Sequence, residues 1–157
     1  MSYIVSIDQG TTSTRCILFD QNMKIVNISQ TEFKQYFPRS GWVEHDPEDL
    51  WNTTVSTFKE VLKKSNLTPD KVAAIGITNQ RETTLVWDSK TGKCQTNAIV
   101  WQDRRTSDFC KILKDQSLEE MIKNKTGLIL DPYFSSTKLH WILNNIPDGF
   151  TKARNGE

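Results

Sequence analysis

Several features are scarce in this 157-residue sequence, and each absence excludes a class of protein. No apolar run approaches the roughly 18 residues that a membrane helix needs, and no signal peptide precedes the first apolar segment. Lysine and arginine number 20 against 19 for aspartate and glutamate, and they are scattered, so neither nucleic acid nor a membrane surface is indicated as a partner. The three cysteines are far apart and lack CxxC spacing, which indicates reduced thiols and favours a cytoplasmic location.

Two signatures of chemistry are absent as well. The glycine-rich Walker loop of P-loop nucleotide-binding proteins does not occur. No second ligand follows His45 or His140 at metal-ligand spacing, so a zinc site is not indicated. The length of the chain is typical of one domain and short for a two-domain enzyme.

Alternating apolar and polar residues predict a sheet at the start of the chain. Three strands are predicted in the first 30 residues, at 3–7, 15–19 and 24–30. The short polar connection between the second and third strands favours an antiparallel meander. Further extended segments are predicted at 72–78, 83–87 and 98–101.

Helical patterns lie between and after these strands. Asp46 and Pro47 predict a helix start, because a carboxylate can accept from the first amides and proline suits the first helical position. This helix is predicted to end near Lys64 and to bury one face, formed by Trp51, Val55, Phe58 and Leu62. Three later helices are predicted at 106–113, at 117–126 with a Ser117 capping box and a Gly127 stop, and from Ser135 or Ser136 to 146. The order of elements predicts an α/β fold with a mixed sheet covered by helices.

The connection between the first two predicted strands, residues 8–13, carries the sharpest local motif. Gly10 lets the backbone approach a ligand closely. Asp8 can hold a hydrated magnesium ion, and Arg15 can add positive charge against phosphate. Phosphate oxygens can be held by loop amides and by three consecutive hydroxyl groups, those of Thr11, Thr12 and Ser13. Ordinary hairpin turns use the same residue types, so this tip alone leaves both interpretations open.

This tip resembles the first phosphate loop of the sugar kinase, Hsp70 and actin superfamily. That superfamily has a ribonuclease-H-like fold, also called the actin-like ATPase fold, and a meander followed by a helix and a strand agrees with its first half. The resemblance implies ATP and Mg²⁺ as cofactors, with Asp8 near the metal. It implies phosphate contacts from Thr11, Thr12, Ser13 and Arg15.

A second motif places Arg81 beside Glu82 at a predicted chain reversal. The hydroxyl groups of a small polyol both donate and accept, so a site for it needs a donor-only group and an acceptor-only group, as these two side chains provide. Taken alone, such a pair is more often a weak surface ion pair. Trp101 and Tyr133, taken alone, fit ordinary core aromatics.

Several segments together resemble the glycerol kinases of the FGGY carbohydrate kinase family. They follow the order found in that family, at residues 41–44, 79–84, 98–106, 126–128 and 131–135. The similarity covers essentially the whole chain. It implies that Arg81, Glu82 and Tyr133 hydrogen-bond the hydroxyl groups of glycerol. It also implies that Trp101 packs against the carbon face of glycerol, as an indole can.

The resemblance implies ATP-dependent phosphorylation of glycerol to sn-glycerol 3-phosphate by an enzyme that is a homo-oligomer at full length. Residues 1–157 are then an incomplete amino-terminal kinase domain, expected to be inactive alone, with the second domain and the general-base aspartate beyond Glu157. Asp103 and Asp131 are expected to serve turns or strand ends. Two alternatives stay open: a kinase for another sugar, such as a ketopentose or gluconate, or a non-catalytic actin-like module that senses ATP.

Overall fold

The computed structural model describes residues 2–157 and divides into two compact units. The first consists of Met1–Gln35 with Asp46–Gln80, and the second of Tyr36–His45 with Arg81–Glu157. Within residues 2–157, every helix is too short or too polar to cross a bilayer.

The first unit is built on a four-stranded mixed sheet. Its strands are β1 (Tyr3–Gln9), β2 (Ser13–Phe19), β3 (Ile25–Glu32) and β5 (Val72–Asn79), in the order β3-β2-β1-β5. The pairs β1-β2 and β2-β3 are antiparallel, and β5 runs parallel to β1. The predicted antiparallel meander and the mixed sheet are therefore confirmed.

One face of this sheet packs against a long helix, α1 (Pro47–Lys64). Side chains alternate between the two faces of a strand, so the buried residues recur with period two. They are Val5, Ile7, Cys16 and Leu18 in the sheet and Val61 and Leu62 in the helix. The Thr14 and Thr53 hydroxyl groups, 2.8 Å apart, add a polar link between β2 and α1.

The start and end of α1 agree with the prediction, but its buried face is only partly as predicted. Asp46 is the N-cap, and its carboxylate accepts from the Glu48 amide at 2.9 Å. Leu62 is buried as expected. The prediction that Trp51 is buried is wrong, since 66% of this residue is exposed. The face that meets the sheet is rotated toward the completely buried Thr57, whose hydroxyl bonds to the Thr53 carbonyl. The small threonine side chains let the helix lie close to the strands.

The strand β5 lies at one end of the strand order. Ile75 and Ile77 point to the same face as Val5 and Ile7, their neighbours on β1, yet they are 49% and 72% exposed. The helix α1 packs mainly over β2 and β3, at the other side of the sheet from β5. The apolar face of the sheet therefore continues past the helix that covers it.

The second unit combines a short strand pair with four helices. These elements are β4 (Glu44–His45), β6 (Ala98–Ile99), α2 (Ser107–Asp115), α3 (Glu119–Thr126), α4 (Ser135–Asn145) and α5 (Gly149–Asn155). The strand predicted at 83–87 is wrong, because this segment makes only isolated bridges, from Thr84 to Ile99 and from Trp87 to Cys94. The helices predicted from residues 106, 117 and 135 are confirmed within two residues at each start, and α5 was not predicted.

The two ends of α3 show where a capping pattern succeeds and where it fails. Gly127 closes the helix with φ 75°, a left-handed conformation that glycine adopts without strain, as predicted. The Ser117 capping box is wrong, because Ser117 itself lies at φ 59° and the helix begins at Glu119 after Leu118. The serine ends the preceding chain segment, where its amide donates to the Lys114 carbonyl at 2.8 Å.

A buried arginine organises the second unit. The Arg105 side chain is 2% exposed, and its guanidinium donates to Glu44 at 2.7 Å and to Asp103 at 2.8 and 3.0 Å. Its central carbon lies 3.7 Å from the Trp42 ring centroid and 4.6 Å from that of Trp141. The Asp103 carboxylate also accepts from the backbone amide of Val43 at 2.7 Å. This network ties the segment at 41–45 to the turn after β6.

Acid is expected to destabilise the second unit through His45. This side chain in β4 is completely buried, and burial lowers its pKa from 6.5 to about 4. Between these two values the unfolded chain binds a proton that the folded chain does not, so stability falls as the pH drops through that window. We expect His45 to remove roughly 2–3 kcal/mol of unfolding free energy between pH 7 and pH 4.

Urea unfolding at pH 7, 5.5 and 4.5 measures this effect, with His45→Gln beside the parent chain. The variant should lose less stability on acidification than the parent. His140→Gln, at an exposed position, is the matched control and should keep the parental pH dependence. Equal pH slopes for the parent and His45→Gln would contradict the assignment.

Candidate functional site

The tip between β1 and β2 is a tight turn with its hydroxyl groups at the surface. The Gly10 amide donates to the Ser13 carbonyl at 3.0 Å, and a β-carbon on Gly10 would lie only 3.1 Å from that oxygen. The turn itself therefore favours glycine, because a β-carbon would have to displace the Ser13 carbonyl by a few tenths of an ångström. Because the Gly10 amide donates within the turn, the backbone amides expected to bind phosphate oxygens are those of the remaining residues of the tip. Thr12 is exposed, and Thr11 is half-buried.

A residue from the end of β5 fixes this tip. Gln80 is 8% exposed, and its side-chain amide donates to the Gln9 side chain and to the Gly10 carbonyl, each at 3.1 Å. Gln80 lies just beyond the residue of β5 that pairs with Gln9. Because β5 runs parallel to β1, both strands deliver their carboxyl ends to the same edge of the sheet. The motif at 79–84 thus contributes to the hairpin as well as to the turn that follows it.

Polar side chains continue along the sheet from the tip. Arg15 lies opposite Asp8 across the β1-β2 pair, and its guanidinium donates to Gln30 at 2.9 Å. Gln30 in turn donates to the Ser13 hydroxyl at 3.0 Å. These bonds give Arg15 and Ser13 defined positions. A cation and a row of hydroxyl groups beside Asp8 provide donors for an anionic ligand and a carboxylate for a cation.

In the second unit, strand-like pairing brings the second motif together with Trp101. Thr84 and Ile99 exchange two backbone hydrogen bonds, at 2.9 and 2.8 Å. Stepping two residues along each antiparallel segment places Glu82 near Trp101. The Trp101 amide contacts the Thr83 hydroxyl at 3.4 Å. The pairing thus collects residues that are about 20 positions apart in the sequence.

Glu82 is held by the start of α4. One of its carboxylate oxygens, Oε2, accepts from the Ser135 amide at 2.8 Å and from the Ser135 hydroxyl at 2.7 Å. Negative charge at a helix N-terminus is favourable because the first amides there point outward. Glu82 itself adopts φ 65°, so the turn places it in a conformation that few residues other than glycine adopt. Its second oxygen is left for another partner.

Tyr133 joins this cluster through its ring and its backbone. The ring centroids of Tyr133 and Trp101 are 5.8 Å apart in an edge-on arrangement, and Phe134 lies 5.1 Å from Tyr133 on another side. The Tyr133 amide donates to the Asp131 carboxylate at 2.8 Å. Trp101 and Tyr133 are both half-buried, so each keeps an open surface.

Of the four residues expected around a polyol, Trp101 and Tyr133 contact each other through their rings, and Glu82 is bonded to Ser135, two residues after Tyr133. Arg81 lies on the same turn as Glu82 with an exposed side chain. A pocket of about 210 Å³ also borders Glu82, with Phe134, Ser135 and an apolar wall of α3 and the segment after it. Arg81, Trp101 and Tyr133 do not line that pocket, so Glu82 is the one expected polyol contact that it shares.

The other aspartates have structural roles. Asp103 is buried and holds Arg105 and the Val43 amide. Asp131 accepts from Tyr133 and from the exposed Arg104 at 3.1 Å. Within residues 2–157, no three His, Cys, Asp or Glu side chains converge in a way that could hold a metal ion. A metal at Asp8 would therefore need water and ligand oxygens to complete its coordination.

Comparison with known proteins identifies the family. Residues 3–155 match the FGGY family of carbohydrate kinases, N-terminal domain. The chain belongs to this family. Among curated FGGY relatives, glycerol kinase of Rhizobium meliloti (strain 1021) is 61% identical over 155 residues, which are 99% of this chain and 31% of that protein.

Solved structures of FGGY kinases share the fold. Plasmodium falciparum glycerol kinase with ADP gives a TM-score of 0.90 at 35% identity, covering 99% of this chain and 31% of that one. Ligand-bound xylulose kinase from Lactobacillus acidophilus gives 0.86 at 26% identity, covering 96% and 30%. The expected actin-like α/β fold is confirmed. The chain spans just under a third of the length of these relatives.

Two polar residues that contact candidate functional residues were not anticipated, one in each unit. Gln80 lies inside the 79–84 motif, but its link to Gly10 depends on the parallel pairing of β5 with β1. Ser135 was recognised as a possible helix start and as the last residue of the 131–135 segment, but its bond to Glu82 spans 53 positions. A hydroxyl residue inside a site motif was the one signal that could have indicated this bond.

Proposed function

We propose that this chain carries the glycerol contacts and the first phosphate hairpin of an ATP-dependent glycerol kinase. The observation that supports this most directly is the cluster of Glu82, Trp101 and Tyr133, which combines an anchored carboxylate with two aromatic rings. Identity of 61% to a glycerol kinase supports the same substrate. The reaction is transfer of the γ-phosphoryl group of ATP to a primary hydroxyl of glycerol, giving sn-glycerol 3-phosphate and ADP.

The proposed acceptor site matches the chemistry of a three-carbon polyol. Glu82 accepts from hydroxyl groups through its second oxygen, while Arg81 and the Tyr133 phenol donate to them. Trp101 covers the carbon chain with an apolar face. Binding of this kind lowers the barrier chiefly by orienting one hydroxyl group for in-line attack, since phosphoryl transfer depends on positioning and charge stabilisation.

The proposed nucleotide contacts lie in the first unit. Thr11, Thr12 and Ser13 donate to phosphate oxygens, and Arg15 adds a positive charge. Asp8 suits Mg²⁺, which prefers carboxylate and water oxygens and retains several waters. When bound, the metal neutralises charge on the phosphates.

Other parts of the function require residues outside this chain. The aspartate that accepts the proton of the attacking hydroxyl is proposed to follow Glu157, and so is the second domain. Residues 1–157 then form an incomplete first domain with no turnover of their own. A cytoplasmic, homo-oligomeric full-length enzyme is part of the same proposal.

Isothermal titration of glycerol, and separately of Mg-ATP, into this chain tests the proposed glycerol contacts and the proposed nucleotide contacts one at a time. We expect the parent chain to bind glycerol and Arg81→Ala to lose at least about tenfold in affinity, because a charged donor to a substrate hydroxyl is removed. Mg-ATP affinity should stay within about twofold, since Arg81 lies outside the β1-β2 hairpin. Arg39→Ala, at another exposed arginine of the second unit, is the matched control.

Turnover is tested by joining this chain to the last two thirds of the Rhizobium meliloti relative. This chimera should phosphorylate glycerol in preference to xylulose and gluconate. Preference for xylulose or gluconate would favour another FGGY kinase. These sugars are included because the chain is 26% identical to a xylulose kinase of the same fold. ATP binding without any polyol turnover would favour the nucleotide-sensing module.

A further inference from the structure

Lys138 is a completely buried lysine in the first turn of α4. Its ammonium group donates to three successive backbone carbonyls, those of Pro132 at 2.7 Å, Phe134 at 3.3 Å and Tyr133 between them. All three donors of the ammonium are therefore used on a single stretch of chain. That stretch carries Tyr133, one of the proposed glycerol contacts.

The position of this lysine is unfavourable for the helix alone. A cation near a helix N-terminus is opposed by the helix dipole, and lysine is almost never fully buried without a partner. Desolvation of an ammonium group costs free energy that the three carbonyls offset. The burial of a lysine at this position is therefore accounted for by its hydrogen bonds to the backbone of residues 132–134.

Tyr133 is fixed from both sides as a result. Its amide donates to Asp131, and its carbonyl accepts from Lys138. These bonds hold the Tyr133 backbone at both groups and so fix the point from which its side chain leaves the chain, and its ring lies 5.8 Å from that of Trp101. The next residue but one, Ser135, donates to Glu82, so the same stretch of chain also anchors the carboxylate.

We propose that Lys138 is a positioning residue of the polyol site, whose ammonium group clamps residues 132–134 and thereby holds the Tyr133 ring beside Trp101. The role in substrate binding rests on the proposed function. The clamp itself is a property of the second unit and does not depend on the identity of the substrate.

The clamp is expected to weaken in mild alkali. Burial lowers the pKa of Lys138 to about 8, against the opposing influence of the nearby acidic groups Glu82, Asp103, Asp131 and Cys110. A neutral amine has two donors where the ammonium has three, so deprotonation leaves one of the three carbonyls without its bond. The arrangement of Tyr133 and Trp101 should therefore change with a midpoint near pH 8.

The test follows the indole N–H resonance of Trp101 by NMR in this chain, assigned with Trp101→Phe. Lys138→Met has a side chain of similar length without donors and should shift that resonance. Lys111→Met, at an exposed lysine of α2, is the matched control and should not. In the parent chain the resonance should titrate with a midpoint near pH 8, a readout that needs no variant and stays informative if Lys138→Met does not fold.

Glycerol titration distinguishes a failure of the proposed clamp from a failure of the proposed polyol site. Lys138→Met should weaken glycerol binding about tenfold or more while Mg-ATP affinity changes less than about twofold. A folded Lys138→Met with an unmoved Trp101 resonance would overturn the proposal, as would a parental resonance that stays constant from pH 7 to 9. If the resonance moves as expected but the parent binds no glycerol, the clamp stands and the polyol assignment fails.

Discussion

Replacing Arg105 with methionine is expected to lower the unfolding free energy by about 3–5 kcal/mol. The guanidinium is 2% exposed and neutralises Asp103, which is 1% exposed, and Glu44, which is 15% exposed. Methionine fills most of the space between Trp42 and Trp141 but leaves two acidic groups without their cation. Unpaired buried charge is among the most destabilising changes that a protein interior can undergo.

Urea unfolding of the 157-residue chain measures this loss. Arg104→Met is the matched control, because that neighbouring arginine is 55% exposed and pairs only at the surface with Asp131. It should cost less than about 1 kcal/mol. Adding Asp103→Asn to Arg105→Met should recover part of the loss, since one stranded charge is removed. Equal losses for the two arginine variants would show that the buried network contributes little.

The sequence predicted the first unit well because local rules and tertiary packing agree there. The meander and α1 have strong periodicity, a proline at the helix start and Asp46 at the N-cap. The failure at Trp51 has a physical cause: period 3.6 identifies an apolar stripe but not how much of its length lies over a sheet. Threonines meet the strands instead, and hydropathy gives them little weight.

Prediction was weaker in the second unit, where long-range pairs decide local structure. The residues at 83–87 have strand propensity, but beyond Thr84 and Trp87 they find no continuous partner, so no strand forms. Strand propensity reports a fit to a pleated surface, and that surface must exist. At Ser117 a capping pattern was overridden by the sharp reversal between α2 and α3.

Among the candidate functional residues, too, some could be predicted from the sequence and others could not. Its motif residues were identified from spacing and resemblance, and the structure brings Glu82, Trp101 and Tyr133 together, while their roles stay proposals. The supporting residues Gln80, Ser135 and Lys138 act through hydrogen bonds to backbone or to distant side chains. Such bonds depend on the packing of elements, which hydropathy and spacing do not contain.

Glu82→Gln is expected to reduce glycerol affinity about 10- to 100-fold, although glutamine has nearly the same shape. The carboxylate has two acceptor oxygens, one engaged by both donors of Ser135 and the other proposed to accept from glycerol. Glutamine has one acceptor and one donor group. If the glutamine oxygen accepts from Ser135, its NH₂ group faces the substrate hydroxyl and cannot accept from it. If the oxygen faces the substrate, the NH₂ group lies against the amide and hydroxyl donors of Ser135 at the start of α4.

Titration of glycerol into Glu82→Gln, Ser135→Ala and the parent chain separates the two roles of the carboxylate. Ser135→Ala removes one bond to Glu82 but keeps the backbone amide, so it should cost about 1 kcal/mol of stability and only a few-fold in glycerol affinity. Glu48→Gln, an exposed position on α1, is the matched control. Full glycerol affinity in a folded Glu82→Gln would mean that Glu82 serves only to cap α4, and the proposed acceptor would have to lie elsewhere.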